Sequence, residues 1–314
     1  MHPAPSIIFL TTASGAGYGL LFLLALGAIW ELIPAQPGLG IVGIGLALAL
    51  VSSGLIASLF HLGRPERAWR ALSQWRSSWL SREGAMALIT YAPALLFAVV
   101  WIFFDQQSGM FTLFGVLAAL GATLTVYCTS MIYATLKPIR QWHHPLVPWL
   151  YLAFALMSGG LLLHALLVWF SAPRTWSAIV AILATLLALG LRALHWRSID
   201  EPPTAPNPGS ATGLGHLGEV RLLEPPHTQS NYLLQEMGFK IGRKHARKLR
   251  RLFVLLGLSG VLLTLVALAS GGTISGLLAT LAAACGLIAV VIERWLFFAE
   301  ATHTVMLYYG NKVA

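Results

Sequence analysis

Charge is scarce in this chain. Of 314 residues only 10% are Asp, Glu, Lys or Arg, while 57% are hydrophobic, and the mean hydropathy is +0.75. No soluble domain of this length is so apolar, so the chain reads as a polytopic membrane protein. Cysteine is nearly absent. Cys128 and Cys285 each sit alone in an apolar run with no partner at ligand spacing, which argues against a disulfide framework, a zinc site or a protein-held iron–sulfur cluster. The opening MHPAPSIIFL has no basic residue before its apolar run and no cleavage site after it, so it reads as the start of a retained helix rather than a signal peptide. No internal repeat recurs at a fixed period.

Apolar runs, by contrast, are plentiful. Eight of them, at roughly 6–33, 39–60, 84–104, 109–133, 147–170, 175–195, 252–270 and 274–297, reach or approach the ~20 residues needed to cross a hydrocarbon core. Short turns join them on one side and longer segments on the other, which gives four helical hairpins with both termini on one side. Nineteen of the 20 Lys and Arg fall on the long-connector side, and Arg174 alone on the other. The positive-inside rule then places the long connectors and both termini in the cytoplasm, as in a bacterial inner membrane. A surface built for an acidic partner would carry the same charge. The expected fold is an all-α, polytopic integral membrane bundle of eight transmembrane helices, with an interfacial helix over 64–80 and one long cytoplasmic arm. Residues 1–196 hold helices 1–6, 197–248 the arm, and 249–314 helices 7 and 8.

The stretch 61–83, HLGRPERAWRALSQWRSSWLSRE, organises the rest. Pro65 suits a first helical turn, and Ala68, Leu72, Trp75 and Trp79 recur at helical spacing. Such a stripe lies flat in a membrane interface, with indoles at headgroup depth and guanidiniums toward water. The plainer reading is a basic connector that only anchors two helices. His61 and Glu83 at its ends favour more than that. A group that titrates near neutrality beside a carboxylate in a low-dielectric pocket suits proton-coupled chemistry.

Other motifs carry less. Gly38, Gly40 and Gly43 spell G-x-G-x-x-G, but in a turn and span rather than after a strand, so the dinucleotide reading fails. Gly15, Gly17 and Gly19 imply close helix packing. The adjacent His143 and His144 lack nearby carboxylates or cysteines and read as an interfacial loop. His164 lies well inside a span, where an ionisable group is a functional candidate by default. Bis-histidine haem b needs a second axial residue at its depth, and none is offered. No metal of the chain's own is expected, and no nucleic-acid partner. Residues 197–248 carry prolines that favour an extended arm, yet also Val220, Leu222, Leu223, Tyr232 and Phe239, too many apolar side chains for a solvated linker. A basic helix from Gly242 should run into the seventh span. Glu293 and Arg294 read equally as a helix end at the interface or as part of a site.

These residues resemble the membrane-anchor subunits of dimethyl sulfoxide reductase-type molybdoenzymes. The carriers are His61-Leu-Gly-Arg-Pro with Arg67-Ala-Trp, and Ser81-Arg-Glu83. Tyr133 with Trp142, and Arg294 with Phe297-Phe298, match more loosely. The resemblance implies a subunit without its own redox metal that anchors an iron–sulfur subunit, itself wired to a molybdopterin catalytic subunit. It implies quinone chemistry, with ubiquinone or menaquinone, at His61 and Glu83. Arg64, Tyr133, Trp142 and Arg294 join as candidates for a hydrogen bond or a stacking face, and read equally as structural. Docking of the partners is expected on Arg67, Arg70, Arg140, Arg221, Tyr232, Arg243 and Lys244, and lipid surrounds the rest. The basic face points to cytoplasmic partners, as in the related membrane-bound sulfite dehydrogenases, and the arm, with Gly218-Glu-Val-Arg and Arg243-Lys-His-Ala-Arg, resembles that branch. The alternatives are a quinol-oxidising anchor of an S- or N-oxide reductase, and a transporter. Against the transporter, charges gather at one face rather than near the midplane.

Overall fold

The computed structural model describes residues 3–34, 36–60, 62–104, 109–200, 206–224, 226, 229, 231 and 241–312, without the side chains of 241–243. Eight helices among them are long and apolar enough to cross a membrane. They are α1 (Pro5–Ile29), α2 (Pro37–Leu59), α3 (Trp79–Phe103), α4 (Gly109–Ala134), α5 (Leu146–Trp169) and α6 (Thr175–Asp200). After the one-turn helix α7 (Pro208–Thr212) come α8 (Ile241–Ala269) and α9 (Gly272–Ala299). No strand occurs among the described residues. The helices pair as the expected hairpins, α1 with α2, α3 with α4, α5 with α6, and α8 with α9.

Two helices form the centre. α1 packs on α2, α4 and α5, while α5 also packs on α6 and α9. Glycine makes this possible: a Cβ on Gly19 would fall on the carbonyl of Ala155, and one on Gly159 would strike the backbone of Gly19. Without side chains at these positions the two backbones approach directly, as small residues allow in membrane bundles. The outer helices show leucines such as Leu88, Leu183 and Leu255 to their surroundings, as a lipid-facing surface requires.

Three boundaries differ from the sequence reading. The connector before α3 is a 3-10 helix over Pro65–Gln74 that ends in a turn, and α3 begins at Trp79 rather than near 84. Ser78 caps that helix, accepting from the Ser81 N–H at 3.5 Å, a polar start that hydropathy does not register. α6 runs on to Asp200, because Arg192 and His195 in its last turns are buried and bonded inside the bundle. Within the arm, Asn207-Pro208 opens α7 with a capping box instead of extended chain. The basic helix expected from Gly242 is continuous with the seventh span, as α8.

Candidate functional site

Three successive residues at the start of α3 face three ways, as a 100° step per residue dictates. The buried Ser81 hydroxyl bonds the Ala71 carbonyl and ties the 3-10 helix to α3. Arg82 turns outward, donating to the carbonyls of Trp75 at 2.9 Å and Arg76 at 2.7 Å while stacking over Trp79 at 4.2 Å. Glu83 turns inward and is 6% exposed. Its carboxylate accepts from the Thr129 hydroxyl of α4 at 2.7 Å.

Glu83 and Thr129 lie in the wall of a pocket of about 710 Å³ bounded by α1, α2, the 3-10 helix, α3 and α4. That volume falls within the ~300–1,000 Å³ of small-molecule sites. The lining is apolar, from Ile7, Leu10, Leu55, Leu59, Leu72, Ala87 and Leu88 among others, with Arg64, Arg67, Ser58, Tyr133, Thr129 and Glu83 as its polar groups. Ala68 and Leu72 of the expected stripe line this pocket, as does Trp69, while Trp75 is exposed. His61 lies outside the described residues. Leu62 and Gly63, next to it in sequence, line the pocket.

The two looser motifs meet in one aromatic cluster. The Tyr133 ring lies against Trp142 (5.2 Å), Tyr151 (5.9 Å), Phe297 (5.5 Å) and Phe298 (5.4 Å). Of these only Tyr133 also lines the pocket. Trp142 stacks on Phe297 and donates its indole N–H to the Phe297 carbonyl at 2.8 Å, so its hydrogen bond serves the bundle. Arg294 is buried and points away from the pocket. Its Nε is 2.6 Å from Glu293, and the guanidinium lies 4.0 Å from the Tyr151 ring centroid.

The interface reading of Glu293 and Arg294 is therefore corrected: both sit in a buried ion-pair ladder. Glu293 also meets Arg192 at 3.1 Å, Arg192 meets Glu300 at 3.8 Å, and Glu300 meets Arg250 at 2.7 Å. Arg250 ends the ladder at the half-exposed Asp200. Thus α6, α8 and α9 are pinned together by charges that alternate in sign. Sequence reasoning missed Arg192, Glu300 and Thr129 as functional or structural partners. Only the i, i+7 repeat of Glu293 and Glu300 on one face of α9 hinted at the ladder.

The docking residues divide. Arg67 and Arg70 are exposed, Arg67 paired loosely with Glu66 at 3.9 Å and Arg70 over Trp69. Arg221 and Lys244 are exposed, as is Leu223 at 95%. Arg140 is half-buried and donates to the Ile199 carbonyl at 2.7 Å, so it is used within the fold. Tyr232 lies outside the described residues, as does the side chain of Arg243. Residues 207–222 of the arm and 304–312 flank a groove of about 1310 Å³. His144 bonds Ser198 at 2.9 Å, and burial followed by the nearby Arg140 lowers its pKa. His164 bonds Ser177 of α6 at 3.1 Å, the neighbouring-helix contact that a lone buried histidine needs. No group of three or more His, Cys, Asp or Glu able to hold a metal occurs among the described residues.

A bundle of eight spans, with a buried carboxylate in an apolar pocket at its basic face, defines a polytopic membrane anchor. The sequence profile of the DMSO reductase anchor subunit (DmsC) matches residues 1–300, and the chain belongs to that family. It is 34% identical over 327 residues to the C subunit of sulfite dehydrogenase from Allochromatium vinosum, covering 99% of both proteins. Over 121 residues, 38% of this chain and 43% of the relative, it is 30% identical to the C chain of anaerobic dimethyl sulfoxide reductase from Haemophilus influenzae. The YnfH chain of anaerobic dimethyl sulfoxide reductase from Escherichia coli is 26% identical over 202 residues, 63% of this chain and 70% of its own. No solved structure matches.

Proposed function

We propose that this chain is the quinone-reactive membrane anchor of a three-subunit molybdopterin and iron–sulfur oxidoreductase that oxidises sulfite and passes the electrons to the quinone pool. The observation that carries the reading is Glu83. A carboxylate in the wall of an apolar pocket, held by one hydroxyl and open to a ligand on its other oxygen, is suited to hand protons to a bound carbonyl. Quinone reduction takes up two electrons and two protons. Glu83 holds one proton at its carboxylate, oriented by Thr129, and His61 is the second proton-bearing group. Tyr133 limits the pocket on the α4 side, and the guanidiniums of Arg64 and Arg67 flank the end nearest the connector. The apolar remainder accommodates an isoprenoid tail and excludes water.

Partners dock on the same face. The exposed Arg67, Arg70, Arg221 and Lys244 offer positive charge to an iron–sulfur subunit, with Leu217 and Leu223 of the arm as apolar anchors. Tyr232 and Arg243 belong to the same arm. With the long connectors and termini in the cytoplasm of a bacterial inner membrane, sulfite is oxidised inside the cell. The whole-length likeness to a sulfite dehydrogenase subunit favours this over quinol oxidation by an S- or N-oxide reductase, which the two partial likenesses would suggest.

Purifying the complex through a tag on this chain and measuring sulfite-dependent reduction of a soluble quinone analogue tests the reading. Glu83→Gln and His61→Leu should each lower turnover by roughly 100-fold or more with the partners still bound. Turnover that survives both substitutions refutes the site. A complex that carries molybdenum and iron yet ignores sulfite refutes the substrate and favours the reductase reading.

A further inference from the structure

Behind Thr129 lies a second, much smaller space. It measures about 10 Å³ and is bordered by α1, α4, α5 and α9. That is about the room one water needs. Polar groups gather in its lining among apolar ones. Thr12 Oγ1 has no partner among the described residues, and Tyr151 Oη and the terminal nitrogens of Arg294 have at most each other, all in side chains at least nine-tenths buried. Ser14 and Ser158 also line it. Their hydroxyl protons go to their own helices, at 2.6 Å to Leu10 and 2.7 Å to Phe154, so their oxygens are left as acceptors. Hydroxyls and a guanidinium thus border a space of water size, and a buried polar group such as the Thr12 hydroxyl left dry here would be costly.

Thr129 belongs to both spaces. Its single hydroxyl proton has two acceptors in reach, Glu83 at 2.7 Å and the Thr125 carbonyl at 3.0 Å. With Glu83 ionised, the proton points to the carboxylate. With Glu83 protonated, the carboxyl can donate to Thr129, whose own proton turns away.

We propose that this cavity is a bound-water site and that Thr129 relays protons from it to Glu83. The proposal rests on the quinone site described above. The cavity water passes a proton to Thr129 Oγ1 as the Thr129 hydroxyl proton moves to Glu83, and the water regains its proton from solvent on the connector side, so that one O–H bond forms for each that breaks. The electrons come from the partner subunits. Thr129, Tyr151 and Arg294 each lie five residues inside the connector-side end of their helix, roughly 8 Å below that face. Protons thus reach the pocket from the same side as the partners, without crossing the membrane. Arg294 acts here as a positioning residue that fixes the water.

The test uses the purified three-subunit complex. Thr129→Val keeps the shape and removes the hydroxyl. It should lower kcat for quinone reduction roughly tenfold or more, leave KM within about twofold, and enlarge the solvent deuterium isotope effect. Thr129→Ser should restore all three. Thr12→Val tests the water itself: with water bound it removes a partner and lowers both kcat and Tm. In a dry cavity, losing an unpaired hydroxyl leaves kcat unchanged and raises Tm, and that result overturns the proposal. So does full turnover in Thr129→Val while Glu83→Gln is inactive. Normal turnover in Glu83→Gln would instead refute the quinone site on which the relay depends.

Discussion

Replacing Glu293 with Gln removes one negative charge from the buried ladder and changes almost nothing in shape. The carboxylate serves two guanidiniums, Arg294 at 2.6 Å and Arg192 at 3.1 Å, both about 1% exposed. The loss is unequal. Arg192 keeps Glu300 at 3.8 Å, whereas Arg294 keeps no carboxylate and is left among Tyr151, Phe154 and Phe297, with ring centroids at 4.0, 5.1 and 5.1 Å. Removing one partner of a buried pair costs about 3–5 kcal/mol, most of it from the stranded charge. A glutamine retains one acceptor oxygen, so the lower end, about 3 kcal/mol, is expected. For a chain of 314 residues that is a fall in apparent Tm on the order of 4–5 °C, read by thermal unfolding in detergent. The double variant Glu293→Leu with Arg294→Met leaves no stranded charge at that position and should recover most of the loss. The surviving folded fraction should keep its KM for quinone, because Arg294 does not line the pocket. A single variant within about 2 °C of the parent, or a double variant no better than the single, would refute the account of the ladder.

Further expectations follow from the packing and the loops. Gly19→Val drives a side chain into the Ala155 backbone and should abolish recovery of folded protein from membranes. Gly15→Ala, where an added methyl meets nothing within 4 Å, should be recovered normally. Glu31, just past the end of α1, has φ at 57°, a conformation that costs a non-glycine residue about 1–2 kcal/mol, so Glu31→Gly should raise Tm by a few degrees. His144 has its pKa lowered in the fold from an ordinary 6.5. The unfolded chain therefore binds the extra proton first, and the contribution of His144 to stability is present above pH 6.5 and is lost as pH falls below it. His144→Gln should flatten the part of the Tm profile between about pH 7 and 5.5 due to this group, and an unchanged slope would sink the assignment.

The sequence made some of this legible and hid the rest for identifiable reasons. Length and hydropathy reveal eight spans because a hydrocarbon core tolerates little else. The small residues of α1 announce close helix packing, as Gly19 against Ala155 bears out. Glu83 was readable because a carboxylate beside an apolar run stands out. Thr129 was not, since threonines are common in such spans and its importance comes from facing Glu83 across 46 positions of sequence. Arg294 and Trp142 were read as candidates for the quinone site on a loose motif. Both side chains turn into the bundle, Arg294 toward Glu293 and Trp142 toward the Phe297 carbonyl. A one-residue change in helical phase decides between pocket and core, and periodicity in an all-round apolar helix does not fix that phase. Beyond the spacing of Glu293 and Glu300, the ladder was hidden because its members come from three helices.

The direct contact of α1 with α5 has a consequence for how the protein is made. α1 leaves the ribosome before α5, and its glycine face finds its partner only when Gly159 has been synthesised, about 140 residues later. At ordinary elongation rates that wait is on the order of ten seconds. During it, lipid or the insertion machinery must cover the groove that α5 will fill. A nascent polypeptide truncated before α5 would show that groove permanently, a ready mark for membrane proteases to remove anchors that will never hold their partners.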